Sequence, residues 1–413
     1  MKRPFSFIKD NPVWYKVVLF SSTLFLIRLA DGIISFWAPN QIQNFLNNPI
    51  LMGMVISFQS VVGFFADLIF PHLLKTTKVR KMIFWAIAAS FFTSLFLVSA
   101  AIKPFIAIFL VTMTLWGIYY ELISFANYQF MGSVVPTNMR SGAWGVMGIF
   151  TNFAYFLGPL IAAELLLKSY LATEITIVVF LGVSLIFLLL TKKSHDAPVQ
   201  IDVREINPLR ELGHWLTLAK YLWPAIIMSL LFGFIDSTYW TIGAVWTEKL
   251  SRESALGGFF LPFYQLPPLF MGLVVAKWGV YRGKKVLVEK FLIVAGILLL
   301  AISFNAGIPW QLSMVLLSSA ALSICYPLLE GVYTDVVARM GQQKNHLIGL
   351  TSSTINLAYV VWPPIAGAIA GRVGERLTFS VVGGMVIVVS FVLLFVTPKK
   401  LRLPQEEIRN WRE

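Results

Sequence analysis

Charge is what this 413-residue chain has least of. Asp, Glu, Lys and Arg together make up 13% of it, against 57% apolar residues and a mean hydropathy of +0.76. A soluble domain carries roughly 25% charged residues because its surface faces water, so a water-soluble globule is excluded. Cysteine is nearly absent: Cys325 stands alone. That rules out an internal disulfide or a cysteine-based metal site and leaves a small apolar filler. There are four histidines and none lies at the middle of an apolar run; no GxxxxGK[ST] phosphate loop occurs. Without these, metal-site spacing and direct use of ATP drop out. A nucleophile elbow is missing as well, so an integral-membrane acyl or glycosyl transferase has no catalytic set to stand on, and the chain reads as a non-enzyme with no cofactor.

What is present is a series of long apolar windows. Met82–Ile102 and Phe379–Val396 hold no charge at all, and about 20 such residues cross a hydrocarbon core of ~30 Å as a helix. Windows between charge clusters and Pro, Gly or Asn breaks predict twelve spans, near 17–39, 50–74, 82–102, 105–133, 142–167, 171–191, 222–247, 256–277, 286–306, 310–336, 347–370 and 377–397. These runs are too long for barrel strands and lack their alternation. The expected architecture is therefore an all-α polytopic membrane protein. Lys2 and Arg3 precede an apolar run, but Arg28 and Asp31 lie within it and no small-residue cleavage site follows, so the segment is expected to be retained.

Lys and Arg are distributed unequally between alternate connections. With both termini on one side, that side holds 26 of the 33 and the other holds 6, with Arg28 left inside a span. The side richer in Lys and Arg is cytoplasmic, so both termini are expected in the cytoplasm of a cell inner (plasma) membrane. The net charge of +13 is then a topology signal and needs no nucleic-acid partner. The longest polar connection divides the chain into a six-span half at 1–191, a linker at 192–221, and a second half with a short tail at 222–413. Within that linker, 207–220 has the pattern of an interfacial amphipathic helix or a loose connection.

The two halves look like copies. A shift of 204 residues superposes Gly145/Gly349, Asn152/Asn356, Ala154/Ala358, Tyr155/Tyr359, Pro159/Pro363, Ile161/Ile365 and Ala162/Ala366, and a shift of 205 pairs Asp31 with Asp236. Duplicated bundles with a solute site between them recur among transporters.

On this arrangement the chain resembles the major facilitator superfamily. Gly63-Phe-Phe-Ala-Asp67, followed by Lys75, Lys78, Arg80 and Lys81, is similar to its G-x-x-x-D element. The stretch from Gly272 to Lys285 resembles the fuller pattern, with Ala276 in place of the acid. Val135–Gly145 and the small-residue Ala154–Ala163 are similar to its span 5 segments. The resemblance implies twelve transmembrane helices in two pseudo-symmetric six-helix bundles, with spans 1, 4, 7 and 10 lining a central cavity. Independently of the family, small residues four apart, as at Ala154, Gly158 and Ala162, let a neighbouring helix approach closely.

A charge at mid-bilayer costs at least ~2.5 kcal/mol, so it usually faces a cavity or a partner. Arg28 and Asp31 in span 1, Glu121 in span 4, Asp236 in span 7 and Glu330 in span 10 are such charges. They fall on the four spans that the resemblance places around the cavity. With Tyr128, Trp240 and Tyr326 they form the expected solute- and ion-binding set. Arg28 has three open partners: Asp31 three residues on, Glu121 across the cavity, or an anionic group of the solute. The acids could carry protons, since burial favours the neutral form of a carboxyl. Asp67, Asp335 and Arg339, near the cytoplasmic ends, form an expected gate, although Asp335 and Arg339 are spaced to stabilise one helix end. The reading is a secondary active transporter working by alternating access. Its partners are a small-molecule solute, a coupling proton or sodium ion and membrane lipid, and the chain is expected to be a monomer. A lipid or lysolipid translocator on the same fold and a non-transporting sensor are the alternatives.

Overall fold

The computed structural model describes residues 12–74, 77–136, 139–190, 208–278, 280, 283–305, 307–340 and 344–398. The basic N-terminal residues, positions 191–207 of the central connection, positions 281–282 of the second motif and the C-terminal tail lie outside these. Among the described residues every regular element is helical.

The elements follow the predicted spans in order. They are α1 (Pro12–Leu46), α2 (Pro49–Leu73), α3 (Val79–Ile102), α4 (Ile106–Val134), α5 (Arg140–Leu166) and α6 (Tyr170–Leu190), then α7, α8, α9 (Lys284–Ala301), α10 (Ile308–Met340), α11 (Lys344–Val373) and α12 (Glu375–Val396). Two are interrupted. α7 runs through Pro208–Thr238, a π-helical turn at Tyr239–Gly243, and Ala244–Glu253; α8 consists of a 3₁₀ turn at Ala255–Phe259, Phe260–Gln265 and Pro268–Trp278. Pro267 and Pro268 lack the N–H that would continue the ladder, which explains the second break in α8. Among the described residues, ten helices are long and apolar enough to cross a membrane. The other two spans are the broken α8 and α9, which carries Lys284, Lys285, Glu289 and Lys290 within 18 residues.

Helix starts follow local chemistry. α2 opens with Pro49 at its first position, and the Asn48 side chain accepts from the N–H groups of Ile50 (2.9 Å) and Leu51 (3.2 Å). These are the residue types that satisfy the free donors of a helix N-terminus. α7 begins earlier than predicted: residues 208–221 of the central connection continue directly into the span.

Within the halves, small residues set the packing. α1 and α5 cross where Gly32 meets Gly158, and a Cβ on Gly158 would stand 2.7 Å from the Gly32 Cα. The small-residue face expected on α5 is thus its contact with α1. Between the halves, the main apposition is α2 against α11. There Gly53 lies on the Pro363 carbonyl and Gly367 on that of Pro49, leaving no room for a side chain at either glycine. Nearby, the Asn40 amide of α1 donates to the Ala244 carbonyl of α7 at 3.2 Å, and Gly258 of α8 faces Ala163 of α5. All these contacts lie at the end of the bundle away from the chain termini.

Toward the opposite end the halves diverge. Tyr128 on α4 and Tyr326 on α10 are 62% and 45% exposed, yet they come from opposite halves and lie within electrostatic range of each other. We read the space between these residues as the candidate chamber. The close glycine contacts between the halves thus lie at the end away from the start of α1 and the end of α12.

Candidate functional site

The closed end of the chamber is built around two acids related by the repeat. In the first half, Asp31 is fully buried. It accepts from the Trp116 indole of α4 (2.8 Å) and the Tyr155 hydroxyl of α5 (2.5 Å), and Arg28 Nη1 lies 3.4 Å away. The same guanidinium nitrogen donates to the Tyr155 oxygen at 2.9 Å, and the rings of Tyr119, Tyr120 and Tyr155 each stand within 5.9 Å of the guanidinium carbon. Of the partners open to Arg28, the structure places Asp31 beside it, in a cage of aromatic faces that suits a cation.

In the second half, Asp236 occupies the matching place. It accepts from the Tyr264 hydroxyl of α8 at 2.5 Å and from the Tyr359 hydroxyl of α11. Tyr155 and Tyr359 are themselves repeat partners, so one acid–tyrosine clasp joins α1 to α5 and its copy joins α7 to α11. Tyr264 is held in turn by its stack on Tyr239 (3.9 Å) and by Ser319 Oγ donating to its carbonyl.

The copies differ in charge. The position matching Arg28 is Gly233, where a Cβ would stand 2.6 Å from the Ala358 Cβ. The close α7–α11 packing leaves no space for a basic side chain, and Asp236 has no ion pair among the described residues. It is also half-buried where Asp31 is sealed. The π-helical turn begins three residues after it, and such turns recur at functional sites. This one carries Trp240, whose ring meets that of Tyr155 edge to face at 5.3 Å and so ties the halves together beside both acids.

The remaining predicted residues fall in two groups. Glu121 does not reach Arg28; its carboxyl lies close to that of Asp67 on α2. The Asn356 amide of α11 donates to Asp67 from the other half at 3.2 Å. Gly63, the glycine of the G-x-x-x-D element, leaves space for Glu121, since a Cβ there would lie 3.0 Å from Oε1. Tyr128 packs on Trp144 (5.4 Å) and Tyr326 on Phe232 (5.3 Å) at the chamber walls, with Glu330 exposed one helical turn from Tyr326. Asp335 is bound by Lys284 of α9 (2.8 Å), and Arg339 donates to the Asp335 carbonyl one turn back (3.0 Å). The structure does not bring Asp335 and Arg339 together with Asp67.

Several residues escaped the sequence reading. Tyr155 and Tyr359 appeared there only as repeat identities, and that was the available signal. Tyr264 had none. Lys285, counted with a polar connection, and Glu289, inside the predicted span 286–306 but not singled out, are buried and paired at 2.6 Å, with Thr397 bonded to both. Glu174 is a further buried acid, accepting from Ser94 Oγ at 3.0 Å.

The comparisons with known proteins agree with this architecture. The family model described as Major Facilitator Superfamily matches residues 20–343. The staphylopine export protein of Staphylococcus aureus (strain Mu50 / ATCC 700699) is 20% identical over 275 residues, which is 64% of this chain and 67% of that one. Among solved structures, the human organic anion transporter MFSD10 (TETRAN) superposes with a TM-score of 0.64 at 18% identity, covering 93% of this chain and 100% of that one. A peptide transporter POT in complex with alafosfalin gives 0.71 at 14% identity, covering 92% and 93%. The nucleoside transporter NupG gives 0.70 at 13%, covering 94% and 100%. At these identities the solved structures speak for the fold alone; with the family model, they make the chain a membrane transport protein that belongs to the major facilitator superfamily.

Proposed function

We propose that this protein is a secondary active transporter that carries a small solute by alternating access, driven by a proton taken up and released at Asp236. The observation that carries the proposal is the broken symmetry of the two clasps: Asp31 has Arg28 beside it, and Asp236 has only phenolic donors. A bare carboxylate at membrane depth is costly, and a chamber that closes around it removes the water that offsets this cost. Protonation removes the charge and lets the chamber close; loss of the proton favours the open form.

The distribution of Lys and Arg supports termini in the cytoplasm of the inner (plasma) membrane, which makes the present form inward-open. A single chain contains the whole chamber, which supports a monomer. The proteins it resembles carry, by their names, organic anions, nucleosides, peptides and staphylopine, a range too wide to transfer a solute. A thermal-shift screen of the purified protein against sugars, amino acids, organic acids, amines and lysolipids identifies the solute class. Proteoliposomes with an imposed pH gradient then accumulate the stabilising solute, and a sodium gradient at equal pH does not drive it. Accumulation that ignores the pH gradient contradicts the proposal, and stabilisation by lysolipids alone, with no soluble solute carried, favours a lipid translocator.

A further inference from the structure

We infer that the carried solute is an organic cation, an amine or quaternary ammonium on an apolar or aromatic body, and that Glu330 is its counter-charge. The inference rests on the carrier reading above and deepens it. Nearer the open end Arg140 donates to the Gly132 and Val135 carbonyls and Lys284 pairs with Asp335; the charged groups deeper around the chamber are Arg28, Asp31, Asp67, Glu121, Asp236 and Glu330. The one cation among them, Arg28, is already matched by Asp31 and enclosed by three tyrosine rings. Among the described residues no Lys or Arg is paired with Asp67, Glu121, Asp236 or Glu330.

The walls point the same way by a separate observation. Two aromatic pairs face each other from opposite halves, Tyr128 with Trp144 and Phe232 with Tyr326. Tyr128, Trp144 and Tyr326 are exposed at 62%, 38% and 45%, although aromatic rings are the side chains that gain most from being covered. Glu330 projects from α10 one turn beyond Tyr326 and lies within electrostatic range of both Tyr326 and Tyr128. Its carboxylate makes no ion pair among the described residues. An open carboxylate near aromatic rings is complementary to a cation with an apolar body, and repels an anion. A sugar would instead want the amides and hydroxyls of the chamber to converge on one place, whereas here Asn356 is engaged with Asp67 and the tyrosine hydroxyls nearest the closed end are spent on Asp31 and Asp236.

The test uses the full-length protein in detergent and two probes of matched size and opposite charge, tetraphenylphosphonium and tetraphenylborate, with benzyltrimethylammonium as a smaller cation. Binding of at least one cation, and not of tetraphenylborate, is expected by titration calorimetry. Glu330→Gln is expected to weaken it about tenfold or more, and Glu330→Asp to retain most of it. Tyr326→Leu is expected to weaken it about threefold through loss of a ring face. Glu330 is exposed, so both of its variants should match the parent in thermal unfolding. Equal or stronger binding of the borate, no binding of either cation, or an unchanged affinity in Glu330→Gln overturns the inference. The two readings fail separately. If pH-driven flux of some other solute is found while no cation binds, only the charge assignment falls; if a cation binds through Glu330 and nothing is moved in proteoliposomes, the carrier reading falls.

Discussion

Arg28→Ala should unfold or severely weaken the protein rather than merely lower its affinity for a solute. Asp31 is fully buried and its compensating charge is the guanidinium 3.4 Å away. Removing one member of a buried pair strands the other, at a cost of about 3–5 kcal/mol. The three tyrosine rings around Arg28 lose their central contact at the same time. Thermal unfolding in detergent should show the loss directly. Arg28→Met combined with Asp31→Asn should recover most of it, because the asparagine carbonyl still accepts from Trp116, its amide can donate to the Tyr155 oxygen, and no lone charge remains. If Arg28 were instead an open receptor for an anionic solute, Arg28→Ala would keep its unfolding temperature and the double variant would be no better than the single one.

The second large effect is expected at Asp236, and it is functional. Asp236→Asn keeps the shape of the side chain and an acceptor for Tyr264 or Tyr359, but it cannot exchange a proton. With one proton moved per solute, a gradient of one pH unit supports about tenfold accumulation. Proteoliposomes holding the variant should accumulate none, while still binding solute and still exchanging labelled for unlabelled solute across the membrane. The contrast with the other acid makes the prediction specific. Asp31→Asn should act on stability, since Asp31 is sealed behind Arg28, Trp116 and Tyr155, whereas Asp236→Asn should act on coupling. Full pH-driven accumulation in Asp236→Asn would place the proton elsewhere, with the Asp67–Glu121 pair the next group to test.

The spans and their order were readable from the chain because the bilayer imposes one strong rule: uncharged runs of about 20 residues form helices. The charges at membrane depth were readable as candidates for a related reason, since a charge in such a run needs a partner or a cavity. Pairing was harder to foresee. Asp31 and Arg28 are three residues apart, but Glu121 meets Asp67 only because α2 and α4 pack with Gly63 at the contact, a matter of helix rotation that periodicity leaves open. Tyr264 reaches Asp236 from a helix broken at Pro267 and Pro268, and no local pattern points from one to the other. The π-helical turn at Tyr239–Gly243 has no composition of its own. Lys285 and Glu289 look like a solvated turn of charge by composition, and only the packing of α9 against α12 shows them to be an internal pair closed by Thr397. Gly233 was the most informative residue passed over: its repeat partner is Arg28, and the absence of a cation there distinguishes the two clasps.

Reciprocal motion of the two ends is the core of the account, and spin-label distances measure it most directly. One pair of labels belongs at the open end, on cysteines replacing Tyr128 and Tyr326; the other belongs at the closed end, replacing Lys168 and Leu256, which flank the Ala163–Gly258 contact. Cys325 is buried, so it should not take up label in the folded protein. On adding the solute found by the screen and shifting the pH, the first distance should shorten while the second lengthens. Two distances that stay fixed, or that change in the same direction, would contradict transport by alternating access.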